Sequence, residues 1–222
     1  MKHPDAATKI KRWIVFIIVT LMTIDLVVVV SEGYWLSAFL ILTIALLILL
    51  VTVFEVRLAV QIPAEFQIVA LLFVFAALFL GEVRSYYDKI WWWDIALHST
   101  SGLLMGIFGF LLVYVLNESE RIAFSMTPRF IAFFAFMFAV AVGALWELFE
   151  YSMDLVFGTN MQKAMFNDPS GLTDTMWDMI VNTVGAALIS GLGWWYMKHD
   201  RRSFIDTWIH KFIRKNPDWF KS

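Results

Sequence analysis

Apolar residues run along the chain in six long, nearly uncharged stretches: 13–30, 34–54, 66–80, 95–116, 130–149 and 176–197. About 20 mostly apolar helical residues cross a hydrocarbon core about 30 Å thick, so each stretch predicts a membrane span. The third is short and draws on its flanks. Pro4, Pro63, Pro128, Pro169 and Pro217 all fall outside the stretches, as expected where a helix backbone must satisfy itself in lipid. After residue 197 the pattern changes. Phe204, Trp208, Ile209 and Phe212 recur at helical spacing, followed by Lys211, Arg214 and Lys215 among them and after them. This predicts a short amphipathic helix in a basic tail. The expected fold is an all-α polytopic membrane protein: a six-helix bundle over residues 1–197, then an amphipathic C-terminal helix within 198–222. Neither an internal repeat nor a domain linker interrupts this reading.

Composition agrees. Of 222 residues, 60% are hydrophobic and 16% charged, where a soluble domain carries about a quarter charged residues. The net charge of −2 leaves no basic surplus for nucleic acid. Absence of cysteine removes thiolate chemistry and thiolate metal sites. The basic residues are sorted to one side. With the N-terminus in the cytoplasm, the outer segments hold only Arg84, Lys89 and Lys163 of the seventeen Lys and Arg. Both termini are therefore expected in the cytoplasm. The first stretch is too long for a signal-peptide core and is read as a true span. Trp and Tyr cluster near both predicted boundaries, as an interfacial belt does. The basic tail is expected to lie on the anionic inner leaflet. Glu55, at the inner end of the second stretch, is expected to pair with Arg57.

Ionisable groups inside spans are costly and tend to face a bundle interior. Three segments carry most of them. In 91–102, WWWDIALHSTSG, Asp94 and His98 share a helix face and Ser101 continues it. In 143–162, Glu147, Glu150 and Asp154 form one stripe toward a helix C-terminus, where the dipole disfavours negative charge. A cation, a proton or a basic partner is expected to compensate. In 171–185, Asp174, Asp178 and Asn182 are spaced by four. Thr173 or Asp174 also suits the helix start as a cap. All three stripes fall at the same outer depth. Gly102, Gly106, Gly109 and Gly185 would let the helix backbones approach closely. The bland alternative for His98 is a hydrogen bond to a neighbouring helix. Asp25, alone in the first span, either joins the outer cluster or stands apart.

The pieces DIALHSTSG, WELFEYSMD with GTNMQ, and LTDTMWDMIVNTVGA resemble, in this order, the YjdF family of uncharacterised bacterial membrane proteins. A more distant likeness extends to VanZ-like membrane proteins. The matching pieces span roughly 81–190, and the Asp-Thr-x-x-Asp-Met run before Gly-Ala is the most specific. The resemblance implies a multi-helix inner-membrane protein and points to Asp94, His98, Glu147, Glu150, Asp174 and Asp178. It implies no particular reaction.

Three functions compete. The first is an enzyme acting on a lipid or lipid-linked substrate. His98 or Glu147 would be its acid–base group, and Asp94, Glu150, Asp154, Asp174 and Asp178 would hold Mg2+ or Mn2+, with Ser101 and Asn182 completing the polar site. Oxygen-rich sets suit hard cations, and one histidine without cysteine argues against zinc. No hydrolase motif and no substrate-binding arginine accompany the cluster. The second is a proton or cation transporter, for which six spans are few unless the chain forms a homo-oligomer. The third is a lipid-binding or structural protein whose polar contacts fasten helices, each contributing only about 1 kcal/mol in a membrane.

Overall fold

A computed structural model describes residues 6–54, 61–117, 126–199 and 204–216, and in it the apolar stretches are helical. Helix α1 spans Ala6–Ser31, α2 Trp35–Phe54 and α3 Ala64–Val74. The chain then continues directly into a π-helical stretch, Phe75–Val83, and a single turn, α4, at Tyr86–Lys89. Helices α5 (Trp93–Asn117), α6 (Pro128–Phe157), α7 (Leu172–Lys198) and α8 (Phe204–Lys215) follow. Among the described residues the extended pairing is limited to an isolated bridge between Met165 and Asp168. Among the described residues, five helical segments are long and apolar enough to cross a membrane: Ala6–Ser31, Ala64–Val83, Trp93–Val113, Pro128–Phe157 and Leu172–Lys198. Helix α2 adds a shorter apolar run, Trp35–Leu50.

The helices overrun their apolar stretches because local chemistry sets their ends. Pro128 opens α6, where its missing N–H would have had no helical partner, and Thr127 Oγ1 accepts from Phe130 N at 3.4 Å. Gly158 closes α6 in the left-handed region at φ 65°, a conformation that favours glycine. The short third stretch reaches spanning length through its π-helical half. There Phe75 and Phe79 stack at 5.1 Å between ring centroids.

The described residues fall into two compact units, 6–93 with 214–216, and 94–213. In the first, Ile18, Met22 and Val29 of α1 form a core with Ala38, Ile41, Ile44 and Ile48 of α2, joined by Leu71 and Phe79. The spacings of three, four and seven mark one face per helix. Two polar pairs lie at either end of α1. Lys11 Nζ donates to Gln67 Oε1 at 2.8 Å, and Arg84 donates to Asp25 Oδ1 at 2.7 Å. Asp25 thus pairs with Arg84, within its own unit. The side-chain amide of Asn216 brackets Gln61, accepting from its N–H and donating to its carbonyl.

The second unit is built on close backbone approach. A Cβ at Gly102 would fall on the Asn182 carbonyl oxygen, and one at Gly185 on the Ser99 carbonyl oxygen. At Gly109 it would lie 2.9 Å from Ala135 Cα. These three contacts bring α5 against both α7 and α6. Ala135, Ala139 and Ala186 are fully buried in the same unit. The outward faces are the reverse of a soluble protein. Trp13, Phe39, Leu145, Leu155 and Leu188 are all exposed, and such a surface suits lipid. The expected Glu55–Arg57 pair lies outside the described residues, as does much of the basic tail beyond α8.

Gly185→Val should lower the thermal midpoint in detergent, as overpacking typically costs about 1–3 kcal/mol. Gly191→Ala, on the same helix with nothing within 4 Å of its would-be Cβ, should be neutral or slightly stabilising. A thermal scan of both variants checks the contrast.

Candidate functional site

Asp94 lies in the first turn of α5 and His98 one turn later. Four residues bring their side chains onto one face, and His98 Nε2 lies 3.4 Å from Asp94 Oδ1. Helix α7 delivers Asp178 to the same nitrogen, its Oδ2 at 3.9 Å. Helix α6 places Glu147 behind the ring, with Oε1 3.4 Å from His98 Nδ1. Both imidazole nitrogens therefore face carboxylates from three helices. One donor atom each from Asp94, His98 and Asp178 lies within 4.8 Å of the other two.

Burial makes this arrangement demanding. Asp178 is 0% exposed, Glu147 4% and His98 8%. Neither oxygen of Asp178 accepts a hydrogen bond. Removing an ionised carboxylate from water costs several kcal/mol unless a cation or several donors replace the lost hydration. Among the described residues, no Lys or Arg side chain forms an ion pair with any of the four. The donor set of two carboxylates and one imidazole is open to a cation, and the Glu147 carboxylate can accept from Nδ1–H while Nε2 presents its lone pair.

The remaining polar residues named from the sequence are placed differently. Asn182 is 2% exposed and bridges helices: Nδ2 donates to the Ala139 carbonyl at 3.3 Å, and Oδ1 lies 3.1 Å from Ser101 Oγ. Ser101 can also donate to the His98 carbonyl at 3.0 Å. These two residues join α5, α6 and α7 just below the carboxylates. Glu150 Oε1 accepts from Trp146 Nε1 at 2.7 Å. Asp174 is buried, and its Oδ2 accepts from Lys163 N at 2.7 Å. Asp154 turns into the loop after α6, accepting from Thr159 Oγ1 (2.6 Å), Met161 N (2.8 Å) and Gln162 N (2.9 Å). Its carboxylate organises backbone, and the expected stripe of Glu147, Glu150 and Asp154 splits into three separate uses.

The start of α7 also differs from expectation. Neither Thr173 nor Asp174 caps it. Asp168 accepts from Thr173 N (3.0 Å) and Oγ1 (2.7 Å), and its other oxygen accepts from Ser170 N and Oγ. The hydrogen bonds from Ser170, then those from Thr173, hold its carboxyl well below the usual carboxylate range. The Asp-Pro-Ser-Gly sequence at 168–171 carries the turn signal that could have identified this cap. The Trp146 partner of Glu150 had no such signal, because an interfacial Trp and a hydrogen-bonded Trp look alike in sequence. Gln162 Nε2 donates to Thr175 Oγ1 at 2.7 Å and completes the attachment of the loop to α7.

Helices with lipid-compatible surfaces around a buried ionisable cluster define a polytopic membrane protein. The chain belongs to the family described as predicted membrane protein (DUF2238), whose model matches residues 10–199. It is 27% identical over 125 residues to an uncharacterised protein of Thermotoga maritima, covering 56% of this chain. The chain spans 59% of the length of that curated relative. No solved structure matches it.

Because the folded-state pKa of Asp168 is depressed, its contribution to the loop is present above the unfolded carboxylate value of about 3.9 and is lost as pH falls through the lower folded value. Between pH 5 and 8, limited proteolysis at 159–171 should therefore be slow and pH-independent in the native protein. Asp168→Ala should be cut faster throughout that window; equal rates would remove the capping role.

Proposed function

We propose that this membrane protein holds a divalent cation between Asp94, His98 Nε2 and Asp178, and uses it on a lipid or lipid-linked substrate. The observation that carries the reading is Asp178: it is fully buried, neither carboxylate oxygen has a donor, and it is aimed at the same imidazole nitrogen as Asp94. Mg2+ and Mn2+ fit a carboxylate-dominated set, and the imidazole favours Mn2+ of the two. Such an ion would polarise a phosphoryl or ester oxygen of the substrate.

The chain's own residues supply the rest. Glu147 holds His98 Nδ1 and fixes the tautomer that leaves Nε2 free to ligate. Its second oxygen is the candidate acid–base group. Asn182 and Ser101 keep the three helices in register, and Asp174 and Glu150 stand on the same helices as Asp178 and Glu147. Asp154 acts through the loop and not as a ligand.

The wider reading places six spans in the bacterial inner membrane, with α2 as the second span and both termini cytoplasmic, as the distribution of Lys and Arg supports. On that orientation the cluster lies on the outer-leaflet side. Helix α8 and its flanking residues form a cytoplasmic tail on the anionic inner leaflet. The likeness of this chain's acidic and histidine segments to those of YjdF proteins fits this picture.

Metal analysis of protein purified without chelator tests the central claim. About one equivalent of Mn2+ or Mg2+ should survive gel filtration, and Asp178→Asn and His98→Gln should each lose it. Glu147→Gln should weaken retention by about 10–100-fold, the usual effect of removing the partner that orients a metal-bound histidine. Asp154→Asn should retain the ion. Retention of the ion by Asp178→Asn, or no ion in native protein after Mn2+ loading, would overturn the reading.

A further inference from the structure

Within the unit of residues 6–93, α1 carries a long groove on its exposed side. Arg12, Phe16, Val19, Thr20 and Thr23 line it, with Leu49 of α2 as the opposite wall, and it holds about 510 Å³. From Arg12 to Ile24 at its far end, twelve residues of helix rise about 18 Å. That is close to the depth of one leaflet, half of a hydrocarbon core about 30 Å thick.

The polar groups of the groove are distributed unevenly. Both threonine hydroxyls bond back into the helix: Thr20 Oγ1 donates to the Phe16 carbonyl at 2.8 Å and Thr23 Oγ1 to the Val19 carbonyl at 2.7 Å. Their hydrogens are used internally, so these residues offer the groove little beyond apolar surface. Arg12 stands exposed at one end. Lys11 beside it is turned inward onto Gln67 and does not share that position. Trp13, 66% exposed, flanks Arg12 as an interfacial anchor does. The groove is thus apolar for one leaflet's depth and cationic at its membrane-surface end.

We propose that this groove binds one acyl chain of an anionic phospholipid, with the lipid phosphate on Arg12. Charge sets the headgroup, since guanidinium forms paired hydrogen bonds with phosphate oxygens. Length and apolarity set the tail. The lipid comes from the leaflet at the N-terminal end of α1, whichever face of the membrane that is, and the proposal does not depend on the metal site.

The test is native mass spectrometry of the full chain in mild detergent, titrated with phosphatidylglycerol and with phosphatidylcholine of the same chain length. Phosphatidylglycerol should bind about fivefold more tightly, the effect of one basic residue at an anionic surface. Arg12→Gln should abolish that preference and Arg12→Lys should restore most of it. Thr20→Trp, which fills the groove, should weaken both lipids while leaving the thermal midpoint within a few degrees. Soluble glycerol phosphate should not compete, which separates a lipid site from a phosphate site. Equal headgroup affinities in native protein and Arg12→Gln would overturn the proposal. So would unchanged binding in Thr20→Trp, or a Thr20→Trp effect confined to self-association, which would make a second copy of the chain the occupant.

Discussion

Three helices meet at Asn182, and they can do so because Gly102 and Gly143 carry no side chain. A Cβ at Gly143 would occupy the position of the Asn182 carboxamide, and one at Gly102 would strike the Asn182 backbone oxygen. In lipid the hydrophobic effect does not press helices together, so close packing and interhelical hydrogen bonds must. Asn182 supplies both: its amide reaches α6 at Ala139 and α5 at Ser101. One turn above on α7 sits Asp178, and its distance to His98 is set by this junction. The register of the carboxylates is therefore a consequence of packing among small residues below them.

That register creates an electrostatic problem which the protein alone leaves open. Asp94, Glu147 and Asp178 surround one imidazole, and two of the three are essentially sealed from solvent. Elsewhere in the same unit, acids are satisfied locally. Asp154 and Asp168 take backbone N–H groups, Asp174 takes the Lys163 N–H, and Glu150 takes an indole. The acidic residues divide into those that organise chain and those that gather around His98. A function for the second group follows more readily than for an undivided stripe.

Much of this was legible in the sequence. The apolar stretches marked the helices, because spanning lipid demands length and apolarity together. The four-residue spacings of Asp94 with His98, and of Asp174, Asp178 and Asn182, marked shared faces. What could not be read was which acid finds a donor. Asp154 follows the same helical stripe as Glu147, yet the left-handed turn at Gly158 brings Met161 and Gln162 back onto it. Cap assignment failed for a similar reason: Asp168 is four residues before the helix begins at Leu172, and only the turn at 168–171 carries it to Thr173. The π-helical stretch at Phe75–Val83 also had no sequence signal, since its residues are ordinary span residues.

The loop between α6 and α7 is held by side chains of its own neighbourhood, Asp154 at one end and Asp168 at the other. Its sequence is thus committed to holding two helix ends at a fixed separation, whatever happens between them. A related protein could preserve that loop in full and still lack the residues around His98. Resemblance in this region reports shared architecture. Shared chemistry has to be judged from Asp94, His98, Glu147 and Asp178 alone, so two chains that look most alike at the loop need not do the same work.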